Sequence, residues 1–191
     1  PQRDPPHPNN GLGAPKIMSS DRGSDVIVKL DGVTIGYDEN KPLATIPSLL
    51  IKKGEILAVA GPSGIGKSTL LKTIAGLVSP LRGTVQVCGA TLPKRPFRGD
   101  LGYIPQRLGL IRHASVMHNV LIGSRASTCG PMQIFTPKEA KESAKNAICQ
   151  MGLEQKMWDP VKRLSGGQQR RVATARTLAQ APKVILADEF L

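Results

Sequence analysis

The run Gly61-Pro62-Ser63-Gly64-Ile65-Gly66-Lys67-Ser68-Thr69 constrains this chain more than any other stretch. Gly61 to Ser68 fits the pattern G-x-x-x-x-G-K-[ST] in full. Glycines in such a loop let backbone N–H groups turn inward around phosphate oxygens with no Cβ in the way. A helix that starts at the loop adds its positive end to the same anion site. Lys67 supplies an ammonium for β- and γ-phosphates, and the Ser68 hydroxyl supplies a ligand for Mg²⁺. A glycine-rich turn with an incidental lysine is the competing reading, and it leaves the flanks unexplained. Ile56-Leu57-Ala58-Val59-Ala60 is a continuous apolar run of the kind a buried parallel strand carries. Beyond the loop, Leu70, Leu71, Ile74 and Leu77 recur at helical spacing, and Gly76 with Pro80 marks the helix end.

A second apolar run, Val184-Ile185-Leu186-Ala187, ends in Asp188-Glu189. Ligands of open α/β sheets bind at the carboxyl ends of the strands, which is where this run delivers its two carboxylates. Asp188 there would hold Mg²⁺, directly or through water, and Glu189 would orient and polarise an attacking water. Alone, such a strand end is often only solvated; its weight comes from following a complete phosphate loop. Leu164-Ser165-Gly166-Gly167-Gln168 is the third piece. Ser165 and two glycines at a helix start make another anion site. A plain helix cap accounts for Ser165 but not for the glycine pair, which weakens a first turn.

Around these pieces the chain has a readable order. Residues 1–24 are rich in Pro, Gly, Asn and Ser without apolar periodicity and are predicted to be a disordered tail. Val26, Val28 and Leu30 alternate as in a strand, with Val33 to Ile35 predicted as its hairpin partner. Thr84–Val87 and Leu101–Ile104 are further strand candidates. Thr136-Pro137-Lys138-Glu139 has the form of a capping box, and Ala140, Ala144, Ala147, Ile148 and Met151 then make one apolar stripe. A helical lobe is therefore expected from about 106 to 164, inside an α/β domain spanning 25–191. Ser165 would cap a further helix through Val172, Ala175, Leu178 and Ala179, closed by Pro182.

Composition narrows the class. No apolar run approaches the roughly 20 residues a membrane-spanning helix needs. Cys88, Cys129 and Cys149 are widely spaced, and an odd number suits a reduced protein better than a disulfide scaffold. The formal net charge of +12 can mean nucleic acid, acidic lipid or a phosphate ligand. Aromatic residues make up 3%, which gives little support to a base-stacking surface.

Leu164 to Gln168, set between a helical lobe and a strand ending in Asp-Glu, resembles the signature of ATP-binding cassette (ABC) ATPases. The resemblance covers about Val26 to Leu191. It implies a P-loop NTPase core with a mostly parallel sheet, an antiparallel β subdomain and an inserted helical subdomain. It implies ATP and Mg²⁺ as ligands, with Gly61–Thr69 and Lys67 on the phosphates. Cassettes of this family pair head to tail, so Ser165 and Gly167 would contact the γ-phosphate held by Lys67 of a second ATPase subunit, identical or different, with Gly166 and Gln168 in the same nucleotide-binding segment. Tyr37, in Gly36-Tyr37-Asp38, matches the residue that stacks on adenine. Gln106 matches the glutamine that touches Mg²⁺ and the attacking water, alongside the catalytic Glu189 and Lys67 and the metal ligands Ser68 and Asp188. Phe190 departs from the proline usual after the catalytic glutamate. The chain does not begin with Met and stops at Leu191, so it is expected to be incomplete, without the switch histidine of the family.

What the resemblance implies is a transport ATPase, peripheral on the cytoplasmic face of the inner (plasma) membrane. It would work with transmembrane permease subunits on a separate chain, contacted through 107–124, and with a substrate-binding protein. His118 to Gly123 and Arg163 to Gln180 look similar to ATPases of phosphonate or phosphate-ester importers. Two alternatives stay open at this point. One is a cassette acting on nucleic acid or ribosomes, supported mainly by the charge; the other is an inactive nucleotide-binding remnant.

Overall fold

The computed structural model describes residues 25–97, 99–128 and 138–188. The expected tail, Arg98, Cys129, the Thr136-Pro137 half of the capping box, and Glu189 with Phe190 lie outside the described residues.

Alternation puts Val28, Leu30, Val33 and Ile35 on one buried face of a single long strand, β1 (Val26–Ile35). The hairpin expected within this stretch is not there. Gly32 takes φ 58° and the pairing of β1 shifts between Asp31 and Thr34, but the strand runs on. The chain reverses later, where the Asp38 carboxylate accepts the Asn40 N–H at 2.9 Å, an Asx turn. The true partner is therefore β2 (Ala44–Lys52), antiparallel, with Leu30 opposite Leu49 and Ile35 opposite Ala44.

Ile56–Ala60 also departs from expectation. It forms no strand, and Ile56 is 99% exposed. No strand among the described residues hydrogen-bonds to it, so its apolar composition has no ladder to join. The helix after the loop is α1 (Lys67–Ile74), with Gly76 following in the left-handed region. Next come β3 (Arg82–Val87) and the short β4 (Ala90–Thr91), which complete an antiparallel sheet of order β2-β1-β3-β4. Its inner face, with Ile74 and Leu186, is one hydrophobic core.

The remainder is β5 (Leu101–Ile104), α2 (Val116–Thr128), α3 (Lys138–Gln150), α4 (Gly166–Leu178) and β6 (Val184–Ala187). Val116, Val120, Ala144, Ile148, Leu153, Val172 and Ala175 form a second core among α2, α3 and α4. The stripe on α3 is apolar at Ala140, Ala144, Ala147 and Ile148, all buried, because those positions share one helical face. β5 and β6 pair in parallel, Leu101 with Val184 and Ile104 with Ala187.

Candidate nucleotide-binding site

The loop before α1 has the backbone its sequence demands. Gly64 takes φ 84° and Gly66 takes φ 106°, conformations that an L side chain resists. Gly66 caps α1, and its carbonyl accepts the Leu70 N–H at 2.8 Å. A Cβ on Gly66 would lie 3.3 Å from Ile35 Cδ1 and 3.4 Å from Leu43 Cβ. The loop is thus seated against the end of β1. Tyr37, two residues past Ile35, is 68% exposed.

The Lys67 ammonium donates to the Gly61 carbonyl at 2.7 Å and to the Pro62 carbonyl at 2.8 Å. Its cation is already folded back over the loop, with carbonyl oxygens standing where anionic oxygens would compete. Asp188 is 6% exposed and accepts the Ser68 hydroxyl at 2.7 Å across 120 residues of sequence. The register explains the meeting. Ile104 pairs with Ala187, and the Ile104 carbonyl accepts the Asp188 N–H at 2.9 Å. Gln106 follows β5 by two residues and is exposed at the same strand ends. A hydroxyl and a carboxylate held this close are the hard oxygen donors that Mg²⁺ takes, usually with several waters retained. The donor set therefore fits the ion. On β5, burial and, second, the Asp188 charge push the Tyr103 phenol above its ordinary pKa.

Ser165 caps α4 as a full capping box. Its side chain accepts the Gln168 N–H at 3.3 Å, and the Gln168 side chain accepts the Ser165 N–H at 2.9 Å. A Cβ on Gly166 or Gly167 would meet nothing within 4 Å, so no packing inside this chain demands glycine at either position. Their backbone is bare and open to the outside. No hydrogen bond joins this segment to Gly61–Thr69 among the described residues. The two glycine-containing segments adjoin different cores, the loop on the β-sheet side and Ser165–Gln168 on the helical side. Glu189 lies outside the described residues.

Three polar groups escaped the sequence reading: the buried Asn119 and the half-buried Tyr103 and Arg176. Asn119 is fully buried; its side chain accepts the Ile111 N–H at 2.8 Å and donates to the Ile111 carbonyl at 3.1 Å. A lone Asn between Val116 and Val120 was the available signal. Arg176 gave none, because it sat in a general basic cluster.

Residues 45–191 match the ABC transporter family. The chain belongs to that family. It is an ABC-type ATPase chain, the nucleotide-binding component of a transporter, on the α/β fold of P-loop NTPases. Among curated ABC relatives, a phosphonates import ATP-binding protein PhnC 2 of Nostoc sp. is 37% identical over 172 residues, covering 87% of this chain and 70% of that protein. A phosphonates import ATP-binding protein PhnC of Thiobacillus denitrificans is 42% identical over 144 residues, covering 73% of this chain and 56% of that protein. A solved dimeric bacterial ABC transporter cassette, MJ0796, superposes with a TM-score of 0.73 at 32% identity, covering 86% of this chain and 74% of that one. The same cassette has been solved as a dimer in a post-hydrolysis state with ADP and Pi. No helix among the described residues of this ABC chain is long and apolar enough to cross a membrane.

Proposed function

We propose that this chain binds Mg-ATP at Gly61–Thr69 and hydrolyses it to energise import of a phosphonate-class solute. The Ser68–Asp188 hydrogen bond carries the reading, because it unites the loop and the strand end at the point where a nucleotide's metal belongs. Backbone N–H groups of the loop and the Lys67 ammonium hold the β- and γ-phosphates. Tyr37 stacks on the adenine. Mg²⁺, held by Ser68 and Asp188 and approached by Gln106, would neutralise charge between the β- and γ-phosphates. Gln106 and Glu189 hold the water in line with the γ-phosphate, and Glu189 polarises it.

Ser165 and Gly167 contact the γ-phosphate bound by a second cassette, identical or homologous. Their separation from the loop and their bare backbone support that division of labour. The similarity to phosphonate import ATP-binding proteins supports the solute class and the direction. Permease subunits on other chains receive the motion, with the segment after Gln106 as the contact, and a binding protein delivers the solute. The chain then works at the cytoplasmic face of the membrane.

Fluorescent ATP titrations test this directly. Lys67→Ala is expected to abolish binding, whereas Glu189→Gln keeps binding and stops turnover in the assembled transporter. Equal loss of binding in both variants would remove Glu189 from the water-activating role.

A further inference from the structure

Arg176 is a half-buried cation with no carboxylate partner among the described residues. Its two guanidinium nitrogens donate instead to backbone carbonyls, Nη1 to Gly109 and Nη2 to Leu108, both at 2.7 Å. Burial lowers its pKa, which means the site gives the charge less than water would. A partly desolvated guanidinium forked onto two neutral carbonyls gives residues 108 and 109 a fixed position. Those residues lie two and three positions after Gln106.

The backbone of Arg176 is itself fixed. A Cβ on Gly123 of α2 would overlap the Arg176 carbonyl oxygen, so α2 and α4 touch backbone to backbone there. From the same crossing, Asn119 of α2 holds both polar groups of Ile111. At the other end of β5, the Gln180 side chain donates to the Leu101 carbonyl at 2.6 Å. Gln106 thus leaves a strand tied at its start to the residues after α4 and enters a segment gripped by α4 itself. The far end of α4, about 15 Å away at 1.5 Å per residue, begins with Ser165–Gln168.

We infer that Arg176 is a positioning residue that ties Gln106 to the signature helix, so that the glutamine at one nucleotide and Ser165–Gly167 at the next move as one body. This rests on the metal-side role proposed for Gln106. Its planar fork suits two adjacent carbonyls, and a lysine cannot reproduce it.

The test is a double-variant cycle on the whole chain, read by titration with a fluorescent ATP analogue in Mg²⁺ and in EDTA. Gln106→Ala and Arg176→Met are each expected to reduce the gain in affinity that Mg²⁺ provides by about fivefold, with EDTA affinities little changed, and the double variant no worse than either single. Amide hydrogen exchange at residues 107–111 is expected to quicken in Arg176→Met while exchange in the loop at 61–69 stays the same. Arg176→Lys should follow the methionine variant, and it carries the cycle if Arg176→Met does not fold. Independent, multiplying losses, or an equal fall with and without Mg²⁺, would overturn the inference. Failure of the unsubstituted chain to bind the analogue would instead overturn the proposed function on which it stands.

Discussion

The Ser68 hydroxyl donates to Asp188 at 2.7 Å, and the carboxylate that receives it is 6% exposed. This contact closes the loop of the first half of the chain onto a strand end of the second. It also leaves one carboxylate oxygen beside the hydroxyl with which a cation would be shared.

Removing either member should therefore cost both stability and metal-dependent binding. Ser68→Ala deprives a buried carboxylate of a hydrogen bond, a loss of about 1.5–3 kcal/mol. Its thermal midpoint is expected to fall, and Mg²⁺ should no longer improve nucleotide affinity. Asp188→Ala is expected to lose the Mg²⁺ effect as well. A Ser68→Ala chain that keeps full Mg²⁺ dependence would exclude Ser68 as a ligand.

The bare glycines at the start of α4 give a second expectation. Nothing in the chain lies within 4 Å of a Cβ at Gly167, so Gly167→Val should fold, with a melting midpoint within a few degrees of the parent. ATP-dependent pairing of two chains, followed by light scattering, should be lost because the valine stands between the helix start and the partner's phosphate. Undiminished pairing would detach Gly167 from any shared site.

The thiols should separate by pH. Burial, and then the Asp100 charge, raise the Cys88 thiol above its ordinary value, partly offset by Lys183, whereas Cys149 is exposed. A raised thiol pKa keeps Cys88 protonated through mildly alkaline pH, and only the thiolate reacts. Alkylation at pH 8, located by peptide mass spectrometry, is expected to reach Cys149 well before Cys88. The gap should narrow as pH rises through the Cys88 transition. Equal rates at pH 8 would contradict the burial of Cys88.

Much of the site was legible in the chain itself because its signals are local. A left-handed glycine, a capping serine and an apolar run that ends in a carboxylate each act over a few residues, and Gly64, Gly66, Ser165 and Asp188 behave accordingly. Helices α1, α3 and α4 followed from the period of their apolar positions. Strand pairing did not. Whether Val33–Ile35 turned back or continued depended on a partner at Ala44–Lys52, and whether Ile56–Ala60 became a strand depended on a neighbour to bond with. A ladder is a contract between distant segments, and periodicity in one of them cannot state the other.

The sequence by itself determined that a turn of left-handed glycines before a helix, a capped glycine pair and a carboxylate-ended strand all exist in this chain, since each depends on the conformational preferences of neighbouring residues. Only the tertiary structure decided that Ser68 meets Asp188 and that Arg176 grips the carbonyls beyond Gln106. Those contacts span tens of residues and depend on how β5, β6 and α4 pack, and burial then makes each polar partner obligatory.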